Sequence, residues 1–143
     1  IHLFKSPVIG WFLRHLRTHP LVRENGMQAL RQALRILAQN KAIVIFPEGT
    51  RSRSGTMGAL KKGIAMLSCK ANCPVVPVFI SGAYDVWPPE RKFPRLFHKQ
   101  KVYFYVGKPL PPCSEGEEGY SDWLARLKKA YSDLEKEAAR DLE

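Results

Sequence analysis

Residues Ala42-Ile43-Val44-Ile45-Phe46-Pro47-Glu48-Gly49-Thr50-Arg51-Ser52-Arg53-Ser54-Gly55 pass in one step from five apolar positions to a polar loop. That loop holds a carboxylate, two guanidiniums, hydroxyls and two glycines. An apolar run without alternation suits a strand covered on both faces of an α/β sheet, and such sheets carry their ligand sites beyond the carboxyl ends of the strands. Pro47 has no N–H for a ladder, so the strand is expected to stop there. The expected fold class is therefore α/β: a mixed, largely parallel sheet flanked by helices. Arg51 and Arg53 offer planar forks of donors that match a phosphate or carboxylate, and Gly49 and Gly55 let backbone N–H groups approach the same anion. Glu48 would repel that anion unless it faces an arginine or accepts a hydroxyl hydrogen bond. The alternative to an anion site is a solvated basic turn between strand and helix.

The 143 residues suit one domain. Because the sequence starts at Ile1 rather than Met, it reads as an excerpt whose N-terminal part is missing. A net charge of +10 implies an anionic partner: a phospholipid surface, an acidic protein or nucleic acid. The longest apolar runs, 42–46 and 75–80, fall far short of the roughly 20 residues that cross a bilayer. Neither is a transmembrane span, and no signal peptide is present in these residues. Cys69, Cys73 and Cys113 are odd in number and lack zinc spacing, so reduced thiols in a cytosolic compartment are expected.

In the first 17 residues, Ile9, Phe12, Leu13 and Leu16 share a helical face flanked by Arg14, His15 and Arg17. Two readings stand for this pattern, a helix lying in a headgroup layer and a helix packed on its own core. Met27, Leu30, Leu34 and Leu37 predict an amphipathic helix starting at Asn25 or Gly26 and ending near Asn40-Lys41. Leu60, Ile64, Leu67 and Ala71 predict another over Met57–Ala71, so the polar loop leads into a helix N-terminus that favours an anion. Lys61 and Lys62 could both reach that anion or a membrane phosphate. Val75–Ile80 reads as a second buried strand in which Pro77 marks an edge, a bulge or a ligand approach. The proline-rich stretch Ser81–Gln100 mixes aromatic and basic residues, as a packed loop or one touching a membrane or an acyl carrier would. Lys101–Val106 alternates like a strand. Glu115, Glu117 and Glu118 mark a solvated turn before a final helix over roughly Ser121–Leu142, striped by Leu124, Leu127, Tyr131 and Leu134.

Phe46-Pro47-Glu48-Gly49-Thr50-Arg51-Ser52 resembles the signature block of the glycerophospholipid acyltransferase family, whose best-known members acylate 1-acyl-glycerol-3-phosphate to phosphatidic acid. Weaker similarities flank it. They are Leu3-Phe4-Lys5-x-Pro7-x-x-Gly10-Trp11-Phe12, the short piece ending in Arg23, Lys62-Gly63, Val75-Val76-Pro77 and Gly107-Lys108-Pro109-Leu110. Around Arg23 the chain departs from the family pattern, with Thr18 and Val22 where a glycine and an aspartate are common. The resemblance implies that Arg51 and Arg23 contact a substrate phosphate and that Glu48 orients them or a glycerol hydroxyl. It further implies that Gly49, Thr50, Ser52 and Lys62 help build that pocket, and that Pro77 helps shape an acyl site.

The same resemblance implies a lysophospholipid acceptor and an acyl thioester donor, carried by coenzyme A or acyl carrier protein. No other cofactor and no metal are expected. A membrane surface rich in anionic lipid, on the cytoplasmic side, would be the workplace, and nucleic acid is not an expected partner. The family's base is the histidine of a His-x4-Asp block. The residues five places after His2, His15, His19 and His98 are Pro7, Pro20, Glu24 and Tyr103, so no histidine here matches. The base is accordingly expected upstream of Ile1. No Gly-x-Ser-x-Gly elbow or Walker loop is present, which disfavours a serine hydrolase and a nucleotide-phosphate loop. A non-catalytic module that binds anionic phospholipid is the alternative from another class.

Overall fold

The structure, a computed structural model, describes residues 26–50, 52, 54–91, 94–95 and 101–141. The helix expected within residues 1–17 and the short piece ending in Arg23 lie outside the described residues. The chain divides into two compact units, Ile1–Ile43 and Val44–Glu143.

In the first unit, α1 spans Gly26–Leu37. Its periodic apolar residues Leu30, Leu34 and Leu37 are half-buried, while Met27 is exposed. The helix closes through Ala38 N–H to the Leu34 carbonyl (2.9 Å) and Asn40 N–H to the Leu37 carbonyl (2.9 Å). Asn40 takes a left-handed φ of 55°, a conformation asparagine tolerates better than most side chains.

The second unit contains α2 (Gly63–Ala71), β1 (Val78–Ser81), α3 (Ala83–Val86), β2 (Tyr103–Val106) and α4 (Glu117–Asp141). Strands β1 and β2 pair antiparallel, Val78 opposite Val106 through Ser81 opposite Tyr103. The pairing resumes at Val75 and Leu110, which exchange both backbone hydrogen bonds (3.0 and 2.8 Å). Between the two paired stretches three residues, 107–109, oppose two, 76–77, so the ladder carries a bulge. Pro77 sits in it, where the missing N–H leaves no gap in the ladder, and its carbonyl accepts the Gly107 N–H at 2.9 Å.

Helix α4 lies across β1, β2 and α2. Its Trp123 and Leu127 join Ala65, Leu110 and Cys113 in the core, with Leu60, Ile64, Val75 and Tyr131 packed around them. The Trp123 indole N–H is satisfied by the Pro111 carbonyl at 2.8 Å. Buried Ser68 of α2 donates to the Cys73 carbonyl and accepts the Cys113 N–H, so the helix end and the 111–113 segment are tied by one hydroxyl. Glu117 and Glu118 open α4 rather than preceding it, since carboxylates suit the positive end of a helix.

The structure does not show the largely parallel sheet: among the described residues the pairing is a two-stranded antiparallel ladder. The central run 42–46 forms no ladder, and it is not covered: Val44 is 88% and Phe46 69% exposed. Its apolar composition reports what such a run prefers to touch, and no described strand lies beside it to supply the partner. Among the described residues no helix is long and apolar enough to cross a membrane.

Candidate functional site

The polar loop is held in shape by its own backbone. Gly49 N–H donates to the Phe46 carbonyl at 3.0 Å, closing a tight turn over Pro47-Glu48, and Gly49 adopts φ 70°, open to glycine at little cost. Lys61 N–H donates to the Pro47 carbonyl at 2.8 Å, and the Gly58 N–H donates to the Glu48 carboxylate, Oε2, at 2.6 Å. These two bonds stitch the motif turn to residues 58–61. The Lys61 bond also explains why α2 begins at Gly63 and not at Met57, because in a helix from Met57 that amide would donate to the Met57 carbonyl and here it is committed to Pro47. Further along, Ser52 Oγ donates to the Thr56 carbonyl (2.6 Å) and accepts the Ser54 N–H (3.3 Å). Ser54 and Thr56 share a hydroxyl hydrogen bond of 2.7 Å. Gly55, at φ 81°, lies against the Tyr84 ring of α3.

Glu48 therefore spends one carboxylate oxygen on a backbone amide. Gly58 is what permits it: a Cβ there would lie 2.9 Å from Oε2. Tyr131 of α4 lies close enough to feel the Glu48 charge. Burial and the Glu48 charge push its phenol above the ordinary tyrosine value, while a hydrogen bond with the Val78 backbone works the other way. The two adjacent lysines diverge. Lys62 pairs with Glu117 at the start of α4 and stands 5.5 Å from the Tyr120 ring centroid. The Lys61 stem instead runs across Gly49, with Cε 3.4 Å from the place a Cβ would occupy.

Of the residues singled out from the sequence, Glu48, Gly49, Thr50 and Ser52 fall together on this loop, with Thr50 exposed. Arg23 and Arg51 lie outside the described residues. Lys62 is turned toward α4, and Pro77 is fully buried in the bulge against Gly107 rather than on the loop. Sequence reasoning missed Gly58 and Tyr131. A glycine ten residues after a motif carboxylate carries no local signal, and Tyr131 looked like one more member of the α4 stripe. Alongside the loop, Met57, Gly58, Ala59 and Leu60 face Leu124, Ala125 and Lys128 of α4 across an open, mostly apolar groove of about 420 Å³. Among the described residues no cluster of side chains could hold a metal ion.

A family model described as Acyltransferase matches residues 1–81. The 1-acyl-sn-glycerol-3-phosphate acyltransferase of Saccharomyces cerevisiae is 36% identical over 137 residues, covering 92% of this chain and 44% of that protein. The Bacillus subtilis protein of the same name is 28% identical over 142 residues, covering 99% of this chain and 67% of that one. The chloroplastic BAT2 enzyme of Brassica napus is 33% identical over 89 residues, which make up only 26% of its length. Among solved structures, the 1-acyl-sn-glycerophosphate (LPA) acyltransferase PlsC of Thermotoga maritima is similar with a TM-score of 0.71 and 30% identity. The similarity covers 96% of this chain and 54% of that one.

Proposed function

Because the chain belongs to the acyltransferase family, we propose that the full-length protein moves a fatty acyl group from an acyl thioester to the free hydroxyl of a lysophospholipid. The acceptor is 1-acyl-glycerol-3-phosphate and the product phosphatidic acid. The observation that carries the reading is the Phe46–Ser52 motif on a stitched turn, in a chain 30% identical over 96% of its length to an enzyme named for that acceptor.

Arg51 and Arg23 grip the acceptor phosphate, where a guanidinium fork matches two oxygens at once. Gly49, Thr50 and Ser52 shape the pocket, and Glu48, braced on the Gly58 amide, sets the turn that presents them. In the reaction the acceptor hydroxyl oxygen attacks the thioester carbonyl carbon. The new C–O ester bond forms, the C–S bond breaks, and the thiol leaves with the proton that the base took from the hydroxyl. We assign that base to a His-x4-Asp block outside residues 1–143, since no histidine here has the spacing. The donor thiol is coenzyme A or acyl carrier protein. The acceptor is an amphiphile presented by a bilayer, and a chain of net charge +10 is attracted to an anionic cytoplasmic leaflet.

The test is acyl transfer from an acyl thioester to lysophosphatidic acid by the full-length protein and its Arg51→Ala variant. Phosphatidate formation that falls at least tenfold in the variant is expected. No product from the unsubstituted protein, or equal activity in the variant, would overturn the assignment.

A further inference from the structure

We propose that Lys61 is a binding residue for the phosphate monoester of the lysophospholipid acceptor, a role that rests on the function proposed above. Lys61 and Lys62 are neighbours with the same charge, and in sequence they are interchangeable. The fold separates them. Lys62 is drawn to Glu117 and the Tyr120 ring, so its charge is used inside the molecule. The Lys61 backbone N–H is fastened to Pro47, the second residue of the motif, and its stem lies over Gly49, Cγ and Cε at 3.8 and 3.4 Å from a notional Cβ. The stem is thereby laid against the motif turn, with the ammonium one bond beyond Cε.

Among the described residues that ammonium has no carboxylate partner. The carboxylate nearest in the turn, Glu48, gives its Oε2 to the Gly58 amide instead. A cation whose stem is laid along the rim of an anion loop, with no carboxylate partner among the described residues, is suited to an exogenous anion. The start of α2 adds to the same field: Lys62 at its N-cap makes no side-chain cap, so the first helical amides keep their positive end uncapped by side chains. Gly49 leaves the stem a surface free of side-chain atoms, and its φ of 70° disfavours a side chain there. The ligand chemistry is a dianionic phosphate, met by Lys61 as a point charge.

The experiment compares the full-length protein with Lys61→Ala, Lys61→Arg and Lys70→Ala. Lys70 is an exposed lysine on α2 that controls for net charge. KM and kcat are measured separately for lysophosphatidate, for the acyl thioester, and for a phosphate-free monoacylglycerol acceptor, with inorganic phosphate as a competitive inhibitor. Lys61→Ala should raise KM for lysophosphatidate roughly tenfold, the scale of one charge-assisted hydrogen bond, and weaken inhibition by phosphate to a similar degree. KM for the thioester and turnover of monoacylglycerol should stay unchanged, Lys61→Arg should recover most of the loss, and Lys70→Ala should match the parent. An unchanged lysophosphatidate KM in Lys61→Ala overturns the role of Lys61. So does an equal loss in Lys70→Ala, or a loss confined to the thioester KM, which would move the residue to the donor's phosphates. If the unsubstituted protein acylates no lysophosphatidate at all, the functional reading itself fails, and the role of Lys61 with it.

Discussion

Replacing Gly58 by alanine should uncouple Glu48 from the motif turn. The added Cβ would stand 2.9 Å from Oε2, about 0.5 Å inside ordinary contact, and the carboxylate is the free end of a flexible side chain, so it swings away rather than straining the backbone. What is lost is the 2.6 Å bond from the Gly58 amide. A hydrogen bond to a charged group contributes about 1.5–3 kcal/mol when well shielded, and Gly58 is exposed, which places this one near about 1 kcal/mol. Alanine returns about 0.4–1 kcal/mol by restricting the unfolded chain, so the net stability change of Gly58→Ala alone is small. The informative quantity is the coupling. Measured by denaturant unfolding of the full-length protein, Glu48→Ala and Gly58→Ala should each remove the same bond, and the double variant should lose it only once. The cycle should show about 1 kcal/mol of interaction. The lysophosphatidate KM should rise in both single variants while the thioester KM holds. Strict additivity, within about 0.3–0.5 kcal/mol, would refute the brace.

Two further outcomes follow from the same unit of structure. Lys62→Ala removes an exposed ion pair with Glu117 and a cation held 5.5 Å from a tyrosine ring, so thermal unfolding should show a loss of no more than about 1 kcal/mol; a larger loss would mean that the contact anchors α4. Burial pushes the Cys113 thiol above its ordinary value, with the neighbouring Cys69 adding to the shift. The folded chain then holds that proton to higher pH than the unfolded chain does. The stability it contributes is complete below the unfolded thiol pKa of about 8.5 and is lost as pH rises through the folded value. Unfolding free energy should decline above that pH, less steeply in Cys113→Ala, and a thiol reagent should label half-buried Cys69 and Cys73 before Cys113. Equal labelling rates for all three would contradict the burial of Cys113.

The motif and most of the helices were legible because their signals are local. Phe46–Ser52 is contiguous, and the apolar spacings of α1, α2 and α4 follow the 3.6-residue period that any amphipathic helix must show. Boundaries were less legible. Helix α2 starts six residues later than its periodicity predicts because Pro47 takes the Lys61 amide, and α4 starts earlier because Glu117 and Glu118 favour its N-terminus. The strand pairing was not legible: a β-branched run states how buried it wants to be but not which neighbour will run beside it. The bulge at Pro77 was among three options that only the register against Leu110 could decide.

By itself, then, the sequence determined that a polar loop bearing a carboxylate, arginines and glycines stands between an apolar run and a helix, and to which family of loops it is similar. The division of labour among its neighbours was a tertiary decision. Lys61 and Lys62 share one charge and one side-chain length. They part because Glu117, 55 residues away in sequence, captures one, while Gly49 leaves room for the other to lie beside the motif. A carboxylate's partner or a lysine's target depends on distances between segments far apart in the chain, and those distances exist only once the chain has folded.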